Sequence, residues 1–321
     1  MNKPFKLKPA AKDYLWGGTR LKTVYGKDID IDPLAETWEC STHPDGPSIV
    51  ASGEYESKTL TEVLQEHPEY LGSRALSLTG GKPELPILVK LIDAAKDLSV
   101  QVHPDDEYAL KNENSLGKTE MWYVLQATPG ANLVHGFNRD VIPEEVCRAV
   151  EDGNIEQLLN YVPVKTGDTF YIEAGTVHAI GAGALVAEIQ ENSNITYRLY
   201  DYNRIGKDGK KRELHVEKSL KVANFTKSVF TKDREREIKQ ETGFEIERLK
   251  QCKYFSVDRV KGKTIEVGRD EGCFHALLFL SGNASIEGNG INVKKGETIF
   301  IPAGAESLVI NGDIEFLDIT C

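Results

Sequence analysis

The stretch LSVQVHPDD, Leu98 to Asp106, sets Gln101 and His103 two residues apart inside an apolar, β-branched run. Side chains at i and i+2 share one face of a strand. An amide and an imidazole therefore point together where strand alternation would place core. Both are hydrogen-bonding groups, and a buried pair of that kind needs a partner. A further histidine stands out through an internal repeat, because VKTGDTFYIEAGTVHAI (Val164 to Ile180) matches VKKGETIFIPAGAESLVI (Val293 to Ile310). Turn glycines, a short strand, a second turn and a return strand suit a hairpin of a small barrel, so the glycines have a backbone reason. His178 has none, and the second copy carries Ser307 in its place.

The elements that would position these groups are mostly strands. Short runs rich in Val, Ile, Phe and Tyr recur as LPILVKLIDA, LSVQVH, EMWYVLQA, DTFYIEAG, ALVAEIQ, ITYRLYDY, HALLFLSG, ETIFIPAG and IEFLDIT, separated by Gly, Pro, Asn and Asp. The pattern predicts a mainly antiparallel β sandwich or barrel. Helical apolar spacing appears in TLTEVLQEHPEYLGSRAL and in IPEEVCRAVEDGNIEQLLNYV, the latter with Pro143 placed to start a helix. These predict helical insertions on a β scaffold. The tract TKDREREIKQETG, Thr231 to Gly243, reads as a solvated linker, and we place a domain boundary there.

Composition excludes several function classes. A chain of 321 residues, 40% hydrophobic and 28% charged, has ample core for one or two domains. The formal net charge of −11 argues against nucleic acid or an anionic membrane as partner, and an anionic ligand would need local lysines and arginines to reverse the field. The N-terminal region is basic without an apolar signal core, and no window reaches the length of a membrane-spanning helix, so a cytoplasmic location is expected. The 5 cysteines show no C-x-x-C pair and are expected to be reduced.

The glycine–histidine pattern around His178 resembles the second motif of the cupins, double-stranded β-helix barrels that often hold a metal through a histidine at that place. In many cupins the first motif reads His-x-His, and Gln101-x-His103-Pro104 departs from it. With YLWGGTRL, LAETWECSTHPDG, LPILVKLIDAAKDLSVQVHP, GKTEMWYVL, EAGTVHAIGAG and ENSNITYRLYDYNR, the chain resembles the type I mannose-6-phosphate isomerases, in their short bacterial form. The resemblance implies two cupin-type jelly-roll barrels with small helical insertions. An N-terminal metal-binding catalytic domain would occupy residues 1–235, and a C-terminal cupin-like domain without ligands would occupy 236–321.

On the same resemblance the zinc ligands fall on Gln101, His103, Glu120 and His178, one ion per chain, with other divalent ions possible. The implied reaction is aldose–ketose isomerisation of mannose 6-phosphate and fructose 6-phosphate through a cis-enediol. A sugar phosphate is the expected partner. Lys90, Ser99 and Arg198 are the substrate-binding residues, and Lys118 shares a strand face with Glu120. Proton carriers are Lys118 first, then a metal-bound water or Glu188, with Arg198 also in the catalytic set. Many relatives carry His-Lys-Pro-Glu where this chain has Gly117, Lys118, Thr119 and Glu120, so a mechanism relying on that histidine does not transfer. Two rivals stand beside this reading: a metal-dependent oxygenase built on His103, His178 and Glu120, and a non-catalytic sugar-binding cupin. Gln101 and the three cations discriminate against the first, while intact ligand positions in the first copy discriminate against the second.

Overall fold

A computed structural model describes residues 2–206, 209–230 and 236–321. It is mainly β, and every apolar run named above contributes a strand. Three sheets carry the fold. One has the strand order Thr169–Ile172, Glu120–Ala127, Ala184–Glu191, Ile87–Asp93, Glu36–Cys40, Ala10–Lys12. The second runs Tyr197–Tyr200, Val100–Val102, His178–Ile180, Asn132–Phe137, Leu159–Pro163. The third and largest gathers the strands after residue 237, and the strand Phe5–Lys8 joins it by pairing with Thr298–Ile301. The fold is consistent with a cupin-type β architecture.

The internal repeat has a structural counterpart. Glu120 pairs with Ile172 and Tyr123 with Thr169 in the first copy, while His275 pairs with Ile301 and Leu278 with Thr298 in the second. The register is the same. Gly167 and Gly296 both adopt positive φ, as do Gly175 and Gly304, a conformation that side chains with a Cβ resist. In this register His275 occupies the place of Glu120, and Asp318, opposite Leu277, that of Glu188, opposite Trp122. His275 and Asp318 form an ion pair at 2.8 Å.

The helical insertions form where their caps allow. Thr59 closes a capping box with Glu62 and starts the helix Leu60–Glu66, which buries Leu60, Val63 and Leu64. Pro68 then breaks it, and the chain resumes as Gly72–Leu78. Pro143 opens the helix Pro143–Glu151, its missing N–H harmless in a first turn. Helical spacing overreached at the end of that stretch: Leu159–Pro163 is a strand, held by pairing with Asn132–Phe137. Residues 231–235 of the proposed linker lie outside the described residues, whereas Ile238–Glu241 of the same tract forms a strand. Sheet pairing with Phe244–Gln251 supplies the order that composition alone did not suggest.

The cysteines correct an expectation. Cys273 and Cys321 form a disulfide, Cα atoms 6.2 Å apart, while Cys40, Cys147 and Cys252 are free. Spacing could not reveal the pair, because the strand His275–Ser281 lies beside Leu308–Thr320 only in the folded sheet.

Beneath the first two sheets Trp16, Trp122, Phe170, Leu133 and Ile180 form one apolar cluster. Each fully buried side chain of this size contributes about 1.5–3 kcal/mol over exposure. This layer fixes the strands that carry the polar residues above it, and truncating Trp122 to alanine would cost about 3–5 kcal/mol.

Candidate metal centre and substrate cavity

The metal-type cluster forms between the first two sheets. Val100–Val102 and His178–Ile180 pair with Gln101 opposite His178, and His103 follows immediately. Glu120 begins the strand of the other sheet. The ligand-type atoms of His103, Glu120 and His178 lie within 4.8 Å of one another, all buried. His178 Nε2 is 3.4 Å from Glu120 Oε1, and His103 Nε2 is 3.7 Å from Glu120 Oε2. The Gln101 side-chain amide lies 3.3 Å from His178 Nε2.

The imidazoles are set up as lone-pair donors. His103 Nδ1 donates to the Ile195 carbonyl at 2.7 Å, and His178 Nδ1 to the Thr176 carbonyl at 2.8 Å. That places each ring's lone pair on Nε2, facing the cluster. Burial, then the charge of Lys118, holds His103 well below the ordinary histidine value. His178 is lowered to about 3, by burial first and by Lys118 against the pull of its backbone hydrogen bond. Glu120 is raised to about 7 by burial and by Glu188. Its Oε1 has no hydrogen-bond partner although fully buried. An orphaned carboxylate oxygen between two neutral imidazoles is a fitting donor set for a divalent cation. Gln101 adds an amide that can turn its oxygen the same way.

Lys118 sits against the cluster. Its ammonium donates to Glu120 and to His103 Nε2, the latter at 3.2 Å, and lies 3.7 Å from Glu188. Across the sheet Lys90 stands directly opposite Glu188, which stands opposite Trp122. Lys90 donates to Glu188 Oε1 at 3.0 Å and Trp122 Nε1 to Oε2 at 2.8 Å. Burial opposes both charges, yet Lys118 and Lys90 hold Glu188 down at about 2, and Glu188 and Glu36 hold Lys90 above the ordinary lysine value. Both oxygens of Glu188 are thus engaged, and the charge of Lys90 is matched within the sheet.

A cavity of about 290 Å³ opens over these residues, at the small end of the roughly 300–1,000 Å³ of small-molecule sites. Gln101, Lys118, Lys90, Glu188, Ser99 and Arg198 all line it, and through Gln101 and Lys118 it adjoins His103, Glu120 and His178. Trp16, Tyr14, Glu36 and Arg212 line it too and were not foreseen. Glu36 carries a legible signal, since it alternates with Trp38 and accepts its indole N–H at 2.8 Å. Arg212 has none, because only the folded chain brings it to Asp201 and the cavity. A larger cavity of about 530 Å³, lined among others by His135, Tyr171 and Lys250, contains none of these residues.

Charges form two groups at the site. Glu36, Glu120 and Glu188 face Lys90 and Lys118, while Arg204 and Arg212 both bind the buried carboxylate of Asp201, with Arg198, the register partner of Gln101, beside them. Arg198 donates Nη1 to the Glu213 carbonyl at 2.8 Å, and its buried Nε has no partner. Burial and then Arg212 lower its affinity for a proton. Among the described residues Asp201 is the buried carboxylate of this arginine group, which leaves an excess of positive charge there.

Fold and cluster together define a mainly β, cupin-type protein with a buried two-histidine, one-carboxylate centre beside a cationic pocket. Residues 4–127 match the model of the phosphomannose isomerase type I catalytic domain. The chain is 39% identical over 320 residues to a probable mannose-6-phosphate isomerase, GmuF, of Bacillus subtilis, covering 99% of both chains. It is 34% identical over 319 residues to the mannose-6-phosphate isomerase of Streptococcus mutans, covering 99% of this chain and 98% of that one. The crystal structure of mannose 6-phosphate isomerase from Bacillus subtilis superposes with a TM-score of 0.89 at 34% identity, covering 98% of this chain and 99% of that one. The chain belongs to the type I phosphomannose isomerase family.

Proposed function

We propose that this protein is a metal-dependent aldose–ketose isomerase that interconverts mannose 6-phosphate and fructose 6-phosphate through a cis-enediol. Family membership gives the reaction class, and one observation carries the reading to these residues. The His103–Glu120–His178 cluster lies against Lys118 and Gln101, which line a cavity that Arg198 and Arg212 line as well. A divalent cation belongs at the cluster and a phosphate dianion at the arginines.

In this reading His103, Glu120, His178 and Gln101 hold one ion per chain, zinc by its two imidazole nitrogens and a set of four ligands. Bound there, it supplies Lewis-acid stabilisation of developing negative charge on a substrate oxygen. Lys118, which lines the cavity, moves the proton: as the neutral amine, its ammonium proton first given up to solvent, it takes the one on the second carbon of the open-chain aldose and returns it to the first carbon of the enediol. The hydroxyl proton on the second carbon's oxygen passes to the first carbon's oxygen, so atoms balance and no redox partner is needed. Glu188 holds Lys90 and Trp122 and keeps a carboxylate near Lys118; with both oxygens bonded, it serves the site as an acceptor that sets charge rather than as the base. Arg198, through its free Nε, and Arg212, held in orientation by Asp201, bind the phosphate, and Ser99 offers a hydroxyl on the same wall. Lys90, matched by Glu188, contributes less to phosphate than its position in the sequence suggested.

The matched registers of the repeat support a duplicated barrel, with residues 1–235 catalytic and 236–321 lacking the ligand set because Ser307 replaces His178, while His275, in the place of Glu120, is paired with Asp318. An oxygenase gains nothing from the cations packed against its cluster, so that alternative is disfavoured. A coupled assay with mannose 6-phosphate, before and after chelation, tests the proposal. Turnover that disappears with the metal and returns with zinc is expected; no turnover, or turnover indifferent to chelation, would refute it.

A further inference from the structure

The segment carrying Lys118 is fixed at three consecutive amides. Gly117 N donates to Asp106 Oδ1 at 3.0 Å, Lys118 N to the Pro104 carbonyl at 3.0 Å, and Thr119 N to Glu191 Oε1 at 2.7 Å. Thr119 returns its carbonyl to the Glu191 N–H at 3.1 Å. Gly117 packs so closely that a Cβ there would stand 2.5 Å from the backbone of Asp105 and Asp106. Backbone held on both sides leaves a lysine only its own side-chain torsions, which narrows where the ammonium can go.

The two carboxyl groups that do this are themselves joined. Asp106 and Glu191 share a hydrogen bond, and burial, with Asp106 beside it, raises Glu191 to about 8. That shift favours the protonated form of Glu191, the form that can donate to the Asp106 carboxylate. The other oxygen of Asp106 receives the Tyr254 hydroxyl at 3.0 Å, with the Lys253 ammonium at 3.5 Å. Tyr254 and Lys253 lie in the turn between Phe244–Gln251 and Ser256–Val267, far along the chain from the metal-type cluster.

We propose that Tyr254 is a positioning residue for the isomerisation: through Asp106 and Glu191, the C-terminal part of the chain holds the backbone of Gly117–Thr119 and so aims Lys118. This rests on the role given to Lys118 above. Nothing in Tyr254 touches the cavity, and its effect must pass through the lysine.

The test is a double-mutant cycle in kcat with Tyr254→Phe and Lys118→Met, together with amide hydrogen exchange at residues 117–119. Tyr254→Phe should lower kcat roughly 3- to 10-fold, the scale of one lost hydrogen bond. KM and metal content should change by less than about twofold. In the Lys118→Met background the same change should have no further effect on residual turnover, because the group it aims is gone. The three amides should exchange faster in Tyr254→Phe, a readout that does not depend on which substrate is turned over. A wild-type kcat in Tyr254→Phe, or an equal loss in both backgrounds, overturns the proposal. If Tyr254→Phe fails to fold, Asp106→Asn provides the same comparison with the carboxylate's shape kept. A wild-type protein inactive on mannose 6-phosphate, with unaltered exchange contrast at the three amides, would refute the substrate reading and leave the positioning contact standing.

Discussion

Gln101 and His178, 77 residues apart, are register partners on neighbouring antiparallel strands, their side-chain nitrogens 3.3 Å apart. Strand pairing thus delivers an amide and an imidazole to one point, and Glu120 meets them from the facing sheet. The cluster is a product of two sheets, and no single strand could build it.

Metal content is the first expected outcome. Elemental analysis of the purified protein should find about one divalent ion per chain, and His103→Ala or His178→Ala should release it. Both variants retaining full metal would exclude the cluster as the binding site.

Lys118→Met keeps most of the volume and removes the proton carrier. It should lower kcat by roughly 10²–10⁴-fold while metal stays bound. Exchange of solvent deuterium into the second carbon of the sugar at the wild-type rate would show that another group is the base.

The arginine end should be separable from the chemistry. Arg212→Met and Arg198→Lys should raise KM for mannose 6-phosphate and the inhibition constant of inorganic phosphate together, by roughly tenfold for each lost charge-assisted pair. An unchanged phosphate inhibition constant in both variants would place the phosphate elsewhere.

Stability should depend on pH through Glu191. With a folded value of about 8 against an ordinary 4.5, the folded chain holds a proton that the unfolded chain has lost between those limits. Stability from this group is therefore present below about 4.5 and declines as pH rises toward 8. Glu191→Gln should flatten that decline in melting temperature measured from pH 5 to 9; an identical slope in wild type and variant would show that Glu191 is not its source.

His275→Ala should leave metal content unchanged while destabilising the fold by about 1 kcal/mol, since it removes the partner of the half-buried Asp318 carboxylate. Chemical denaturation and elemental analysis read the two effects independently. Metal loss would mean that the second copy of the repeat contributes to the centre.

Much of this was legible in the chain itself. Period-2 alternation specified the strands, and polar residues breaking it, Gln101, His103, Glu188 and Lys90, marked the face that would line a site, because a buried polar side chain is retained only where something partners it. The repeat likewise exposed His178 against Ser307. Partnership across distance was not legible. The sequence did not show that Lys90 stands opposite Glu188, Cys273 and Cys321 read as thiols until the sheet brought them together, and Arg212 and Glu36 gave little or no sign of lining the cavity. Sequence alone determined which residues could do chemistry and on which strand faces they lay, since those follow from side-chain type and backbone period. Only the tertiary structure decided which charges cancel and which remain for a ligand, because electrostatic pairing depends on separation in space, and that is set by sheet register and by how the sheets pack.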